Sequence, residues 1–157
     1  MTSPSLHDAK RHAPQISLMA AGLTDYDLNL LGKLVNDIHG ELRIVTTFSE
    51  ALRVLAGFSG ELVVCSRRFA GGDWKSLLKE CRKLDLRPSF IVASTAEEKM
   101  NHFWLEALNG GVYDVISSPF SIDDVQRTVS RASHDWRICY GTRFRPKAGS
   151  SLRSTVV

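Results

Sequence analysis

The residues best suited to chemistry stand where a short apolar segment ends. Residues 62–65 have the sequence LVVC, and Ser66, Arg67 and Arg68 follow them, directly before a loop that contains two glycines. A thiol or hydroxyl at a strand end can act as a nucleophile only if a general base lies within hydrogen-bonding reach. None of the five histidines falls at a predicted strand end, and the sequence contains no GxSxG motif. We therefore interpret Cys65 as a small buried hydrophobic residue and expect no hydrolase chemistry at Ser66.

The other predicted strand ends also lack the carboxylates that a metal site would need. They carry small or hydroxyl-bearing residues, namely Ala20, Ala21, Ser94 and Ser118. Hard cations such as Mg²⁺ bind carboxylate oxygens in proteins, and the three cysteines lie far apart without CxxC spacing. We therefore expect no metal, no cofactor and no disulfide framework.

A repeating pattern of strands and helices must position these residues. Strands are predicted at residues 16–20, 42–45, 62–65, 89–94 and 112–116, and helices at 24–38, 49–58, 73–84, 97–108 and 121–138. Ser49, Asp73 and Ser121 are the predicted N-caps of three of the helices. The strands are nearly continuous apolar runs, which is typical of a parallel sheet covered by helices on both faces. In such α/β folds, ligands gather at the carboxyl ends of the strands.

The segment ALNGGVYDVISSPFS, residues 107–121, resembles the last third of a response-regulator receiver domain. The residues that fit the family pattern are Ala107, Leu108, Gly111, Tyr113, Asp114, Pro119 and Phe120. The resemblance extends over residues 14–138. It implies a three-layer flavodoxin-like, or CheY-like, (βα)5 fold with a five-stranded parallel sheet in the order 2-1-3-4-5.

The same resemblance implies that the phosphorylation pocket of the family has lost its charged groups. The acidic pair falls on Ala20 and Ala21, the phosphoacceptor aspartate on Ser66 and the lysine on Ser118, while the switch hydroxyl is kept as Ser94. Aspartyl phosphorylation needs a carboxylate nucleophile and a divalent cation that neutralises the phosphate charge, so we do not expect it here. The family resemblance also implies a cis peptide bond before Pro119.

The resemblance places the output surface of the domain on its fourth helix, fifth strand and fifth helix. Phe103 and Trp104 are about 100° apart on a helix, so we expect that at most one of them is fully buried. Exposed aromatic side chains at these positions would serve as interface anchors. The alternative is that one belongs to the core and the other is half covered. Arg127 and Arg131 share one side of the last helix, where they either meet an acidic partner or form a solvated surface.

These observations predict a degenerate receiver domain without enzymatic activity that binds proteins independently of phosphorylation in two-component-type signalling. The partner is a signalling protein or a second copy of the chain. Two alternatives remain open. The emptied pocket could bind a small anionic ligand through its hydroxyl groups together with Arg67 and Arg68, or the domain could be phosphorylated at an unusual acceptor.

Composition indicates where the domain begins and ends, which partners it is expected to bind and in which compartment it is expected. The 157 residues carry a net charge of +3, and residues 137–157 contain five basic residues and no acidic ones. We predict a disordered extension at 1–13 and a basic, disordered tail at 139–157. Because the remainder of the chain is mildly acidic, nucleic acid is not the expected partner. The sequence contains neither a secretory signal nor a membrane span, and we expect a cytoplasmic protein.

Overall fold

The computed structural model describes residues 16–141, apart from the side chain of Lys99. Its elements are β1 (Ser17–Ala21), α1 (Asp25–Asp37), β2 (Glu41–Val45), α2 (Phe48–Leu55), β3 (Leu62–Ser66), β4 (Arg68–Phe69), β5 (Gly72–Asp73), α3 (Trp74–Cys81), β6 (Ser89–Ser94), α4 (Ala96–Met100), α5 (Phe103–Asn109), β7 (Asp114–Ser117) and α6 (Ile122–Tyr140). The predicted extension at 1–13 lies outside the described residues.

The main sheet has five parallel strands in the order β2-β1-β3-β6-β7. With the two-residue hairpin β4–β5 left out of the count, this is the predicted 2-1-3-4-5 order, and the predicted fold is confirmed. The sheet separates two apolar layers, because successive side chains of a strand point to opposite faces. Leu18 and Ala20 of β1 pack into one layer, and Met19 and Ala21 pack into the other.

The helix starts agree with the predicted N-cap positions at Asp73 and Ser121 and differ at Ser49. Asp73 caps α3 as predicted, accepting from the Ser76 N–H at 2.9 Å. The helix α2 begins before Ser49, because Thr47 and Glu50 form a reciprocal capping box that satisfies backbone N–H groups on both sides. Ser121 occupies the predicted N-cap of α6, but its side chain makes no capping hydrogen bond.

The predicted fourth helix is divided into α4 and α5. Between the two helices, His102 adopts a left-handed conformation with φ of 60°. A left-handed residue cannot continue a right-handed helix, so a new helix with its own orientation begins at Phe103. The break decides which of the two adjacent aromatic residues becomes buried.

The last helix runs further than the predicted domain end at residue 138. It continues to Tyr140, and Arg137, which composition assigned to the basic C-terminal segment, lies within it. The Arg137 Nε donates to Glu61 at 2.8 Å, and this pairing fixes the helix against the start of β3. The other basic residues of the predicted tail lie outside the described part of the chain. Within residues 16–141, no helix is long and apolar enough to cross a bilayer.

Candidate functional site

A crevice of about 260 Å³ opens at the carboxyl end of the sheet, where α/β folds usually bind ligands. The loops after β1, β3, β6 and β7 surround it. Its polar side chains come from Thr24, Asp27, Ser66, Thr95, Glu98 and Ser118, and the segment containing Arg67 and Arg68 forms one wall. Of the five residues predicted to form the degenerate pocket, the structure brings Ser66 and Ser118 together here.

The two alanines predicted for the pocket are the last two residues of β1 and do not reach the crevice. Ala20 and Ala21 are fully buried in opposite layers of the core. The prediction placed them just after the strand, but β1 extends through both, and their methyl groups pack against the helices on either face. They contribute apolar packing beneath the crevice.

Ser94 is likewise displaced from its predicted place. It is the last residue of β6, fully buried, and its hydroxyl donates to the carbonyl of Thr95 at 3.2 Å. Because Ala93 and Thr95 line the crevice, the residue between them points to the opposite side of the sheet. The hydroxyl that this strand end supplies to the crevice is therefore that of Thr95. It also caps α4, accepting from the Glu98 N–H at 3.2 Å.

Asp27 is the polar residue of the crevice that the sequence reasoning did not identify. It lies in the first turn of α1 and is only 1% exposed. Its Oδ1 accepts the Phe120 N–H at 2.8 Å, and its Oδ2 accepts the hydroxyl of Ser118. The spacing in the sequence indicates its burial, since Asp27 precedes Leu31 by four residues and so lies on the buried face of the helix.

The Ser118–Pro119 peptide bond is cis, as predicted. The Asp27 carboxylate contacts the residues on both sides of Pro119, through the hydroxyl of Ser118 and the backbone N–H of Phe120. The loop between β7 and α6 is therefore tied to the first turn of α1 across the crevice.

Ser66 braces the two loops beside it. Its Oγ lies 2.9 Å from the carbonyl oxygen of Gly22 and 2.8 Å from that of Arg68. Gly22 has φ of +71°, and a Cβ at this position would lie 2.3 Å from the Cβ of Phe69. The close approach that permits the Ser66 hydrogen bond therefore requires glycine. The hydroxyl proton is directed at backbone carbonyls, which cannot act as a general base.

The crevice contains charges of both signs. Arg67 and Arg68 line it together with Asp27 and Glu98, so the arginines do not create a net positive site. The guanidinium carbon of Arg67 also stacks 4.9 Å from the ring centroid of Phe103. Among the described residues, no group of three or more histidine, cysteine, aspartate or glutamate side chains is arranged to hold a metal ion.

The thiol beneath Ser66 has the inert character expected of it. Cys65 is fully buried in β3, and burial raises the pKa of its thiol well above the usual value. Burial likewise raises the pKa of Cys81, in α3, to about 12. Both thiols are protonated at neutral pH and do not supply the thiolate that nucleophilic chemistry requires.

The two aromatic residues proposed as anchors differ in burial, and the structure agrees with the alternative in which one belongs to the core and the other is half covered. Phe103 is 2% exposed and packs edge-on against Trp74, with ring centroids 5.7 Å apart. The start of α5 after His102 turns this side chain into the core. Trp104 stays 40% exposed and lies close to Leu105 and Leu108, which are also exposed. We refer to Trp104, Leu105 and Leu108 as the α5 patch.

The two predicted interface arginines are engaged within the chain. Arg127 lies 2.6 Å from an Asp124 carboxylate oxygen, one turn earlier in α6. Arg131 donates to Asp114 at 2.8 Å and to the Tyr113 hydroxyl at 3.2 Å. A partner would have to compete with these intramolecular contacts to use either guanidinium.

The fold is similar to that of receiver domains of known structure. The signal receiver domain of an HD domain-containing protein from Pseudomonas fluorescens superposes with a TM-score of 0.68 at 17% identity, over 80% of this chain and 99% of that one. The Francisella response regulator 1452 receiver domain gives 0.64 at 22% identity, over 78% and 98%. The beryllofluoride-activated NtrC4 receiver domain dimer gives 0.63 at 15% identity, over 76% and 98%.

No protein-family model and no curated protein matches the sequence. The structural similarities therefore establish the receiver fold, and the function has to be argued from the side chains of the crevice and the surface.

Proposed function

We propose that this chain is a signalling module of two-component type that acts through protein contacts and is not switched by aspartyl phosphorylation. The receiver fold supports the signalling role, and the similarity to a receiver dimer supports protein contacts as the mode of action. The proposal assigns no catalytic residue, metal ligand or cofactor site to the crevice.

One observation carries the proposal: the polar groups of the crevice hydrogen-bond to one another. Asp27 accepts from Ser118 and Phe120, and the Ser66 hydroxyl is bonded to backbone carbonyls of the loops after β1 and β3. Phosphoryl transfer to a carboxylate needs an accessible oxygen nucleophile and a cation that stabilises the phosphate charge. The end of β3 offers a hydroxyl, which has neither the charge of a carboxylate nor a base beside it.

Asp27 is a poor substitute for the acceptor, although it is the carboxylate closest to Ser118. Both of its oxygens already accept hydrogen bonds, and the side chain is almost completely enclosed. Attack on a phosphoryl donor would break these bonds and bring additional negative charge into a buried place, which is costly without a cation. This argues against phosphorylation at an unusual acceptor.

Binding of an anion between Arg67 and Arg68 ranks below the protein-contact function. Asp27 and Glu98 line the same small space, so an entering anion would meet two carboxylates as well as two guanidinium groups. Each carboxylate would repel the entering anion. Arg67 is further held over Phe103 by a cation–π contact that a ligand would have to replace.

The first test of the proposal is incubation with acetyl phosphate and Mg²⁺, followed by intact mass spectrometry. We expect no adduct of about 80 Da, the mass of one phosphoryl group. A receiver domain that retains its aspartate, treated in the same way, verifies the donor. A stoichiometric adduct on this chain would overturn phosphorylation independence, and peptide mapping would then identify the acceptor.

The second test concerns the α5 patch, the exposed apolar surface that we propose for protein contacts. The chain, carrying a photo-crosslinker at the exposed Glu106 position, is expressed in its native cells, and the conjugates are identified. We expect a defined conjugate that Trp104→Ala reduces about tenfold or more, as is typical of an aromatic anchor. The matched variant Ile138→Ala removes another exposed apolar side chain and should leave the conjugate unchanged. Equal conjugate yields from the parent chain, Trp104→Ala and Ile138→Ala would exclude the α5 patch as the contact surface.

A further inference from the structure

The outer edge of β2 is a row of backbone groups that the described part of the chain leaves open. β2 pairs with β1 and with no other described strand. The Glu41 N–H donates to the Ile16 carbonyl, and the Val45 carbonyl accepts from Gly22. In a parallel ladder alternate residues bond to the same neighbour, so the N–H and C=O groups of Leu42 and Ile44 point away from β1. They have no hydrogen-bond partner among the described residues.

An apolar groove borders this edge on the side of α1. Leu28, Gly32, Leu42 and Ile44 form its floor and Ile44 is 53% exposed, while polar side chains of α1 complete the lining, namely Asp25, Asn29, Lys33 and Asn36. A Cβ on Gly32 would have Leu42 as its nearest neighbour at 3.9 Å, an ordinary contact. Glycine inside a helix is destabilising relative to alanine, and the packing of the single chain does not require it. The missing side chain keeps the groove open beside the free edge.

We propose that β2 is a self-association edge, at which a second copy of the chain pairs antiparallel to form a two-fold dimer. This surface is distinct from the α5 patch. The pairing would join the two five-stranded sheets into one continuous sheet, in which the Leu42 side chains of both copies meet on the groove side. Addition of a strand to an open sheet edge is a recurrent mode of recognition.

Charge complementarity identifies the second copy as the occupant. Glu41 and Arg43 share the opposite face of β2, where they form a long ion pair of 3.9 Å with each other and keep side chains 62% and 55% exposed. An exposed pair of this kind contributes little within one chain. When Leu42 lies opposite Leu42 of the second copy, Glu41 of each chain lies directly opposite Arg43 of the other. Opposite charges in such cross-strand positions are stabilising, and like charges are destabilising. One short strand therefore carries both halves of a self-complementary pattern.

The same residues exclude the neighbouring registers. A two-fold axis at Arg43 would place the two Arg43 side chains opposite each other, with like charges in contact. An axis at Ile44 would place Arg43 opposite Val45 and Glu41 opposite Thr47, so the opposite-charge pairs would be lost. In the register centred on Leu42, the two Leu42 residues exchange both backbone hydrogen bonds and the charges are complementary. Ile44 then lies opposite Gly40, whose carbonyl can accept the Ile44 N–H and whose own N–H donates to Val35 at 2.8 Å.

The main test uses charge reversal in the full chain, with mass followed by light scattering and analytical ultracentrifugation across the micromolar range. The wild type should rise from 17.5 kDa toward twice that mass as concentration increases. Arg43→Glu and Glu41→Arg each create two like-charge pairs per dimer, and we expect each to raise the dimer dissociation constant about tenfold or more. An equimolar mixture of the two variants restores both opposite-charge pairs and should form a heterodimer of near wild-type affinity.

Each result of this test decides the proposal. Wild type that stays at the monomer mass at all concentrations overturns it, as does a dimer that neither reversal weakens. Loss of the dimer in both variants without rescue in the mixture overturns the proposed register. Trp104→Ala should leave the dimer mass unchanged, which separates this edge from the α5 patch. Circular dichroism melting curves verify that both charge-reversed chains are folded.

A cysteine pair reports the register directly. In a Cys139→Ser background, Leu42→Cys should form a covalent dimer under mild oxidation, because directly opposite Cα atoms in a hydrogen-bonded pair lie about 5.5 Å apart, within disulfide range. Ile44→Cys is the matched control. Its two copies would be four residues apart along the paired strands, about 13 Å, and should cross-link far more slowly. Faster cross-linking at Ile44 than at Leu42 would contradict the proposed pairing.

Discussion

Two buried carboxylates stand at opposite ends of the sheet, and the protein satisfies them with different kinds of group. Glu61 precedes β3 at the amino end, and it accepts from the guanidinium of Arg137 at 2.8 Å and the hydroxyl of Ser133 at 2.9 Å. Asp27 lies beside the crevice at the carboxyl end, and it accepts from the Phe120 N–H and the Ser118 hydroxyl. One carboxylate is paired with a cation and the other is held by neutral donors.

The difference shows two ways in which an α/β domain can hold a buried carboxylate in place. A buried charge is tolerated when it is paired or when hydrogen bonds replace its lost hydration. Asp27 follows the second route, and its two bonds tie the first turn of α1 to the β7–α6 loop. The crevice end is thereby organised around an internal contact, whereas the opposite end is organised around an ion pair between α6 and β3.

Removal of the Asp27 carboxylate, which neutral donors hold, should cause the largest loss of stability. Asp27→Ala leaves the Phe120 N–H and the Ser118 hydroxyl without their acceptor and creates a small cavity. Hydrogen bonds to charged groups contribute about 1.5–3 kcal/mol each, so we expect a loss of about 3–5 kcal/mol in the free energy of unfolding, measured by urea denaturation. Asp27→Asn retains one acceptor oxygen and should lose less. Equal stabilities of wild type and Asp27→Ala would show that these contacts do not hold the loop.

The ion pair at the other end should give the next largest effect. Arg137→Ala removes the cation from Glu61, whose side chain is 4% exposed, whereas the arginine is 37% exposed and partly solvated. Breaking a buried pair costs about 3–5 kcal/mol. Since water reaches this guanidinium, we expect about 2–3 kcal/mol by urea denaturation. Arg127→Ala removes an exposed pair with Asp124 and should change stability by less than about 1 kcal/mol. A loss as small at Arg137 as at Arg127 would contradict the structural role of the pair.

The sequence predicted the fold because each strand is a continuous apolar run with turn-forming residues at its ends. It was less reliable where one residue decides the outcome. The end of β6 was predicted at Ser94, where the structure has it, but the direction of the side chain was not: Ser94 is buried and Thr95 lines the crevice. A shift of one residue along a strand moves a side chain to the other face. The two alanines were also expected at the pocket, but they end β1 and are buried in opposite layers of the core.

Other residues could not be predicted because their partners are distant in the sequence. Arg137 was counted with the basic C-terminal residues, and its pairing was not predicted because Glu61 lies 76 residues away. Asp27 is separated from Phe120 by 93 residues, and an aspartate in the first turn of a helix is more often a solvated residue that favours the helix dipole. The burial of Phe103 depends on the break at His102, and no glycine or proline marks that break.

The smallest expected losses of stability allow the two carboxylates to be compared most directly, because each of them also accepts one serine hydroxyl. Ser118→Ala and Ser133→Ala each delete one hydroxyl donor and leave the other partner of the carboxylate in place. Glu61 keeps its guanidinium in Ser133→Ala, whereas Asp27 keeps only a backbone N–H in Ser118→Ala. We therefore expect a loss of about 1–2 kcal/mol for Ser118→Ala and about 0.5–1 kcal/mol for Ser133→Ala in urea denaturation. The order of the two values is the critical result, since the reverse order would mean that the neutral donors around Asp27 compensate its charge as well as the cation compensates that of Glu61.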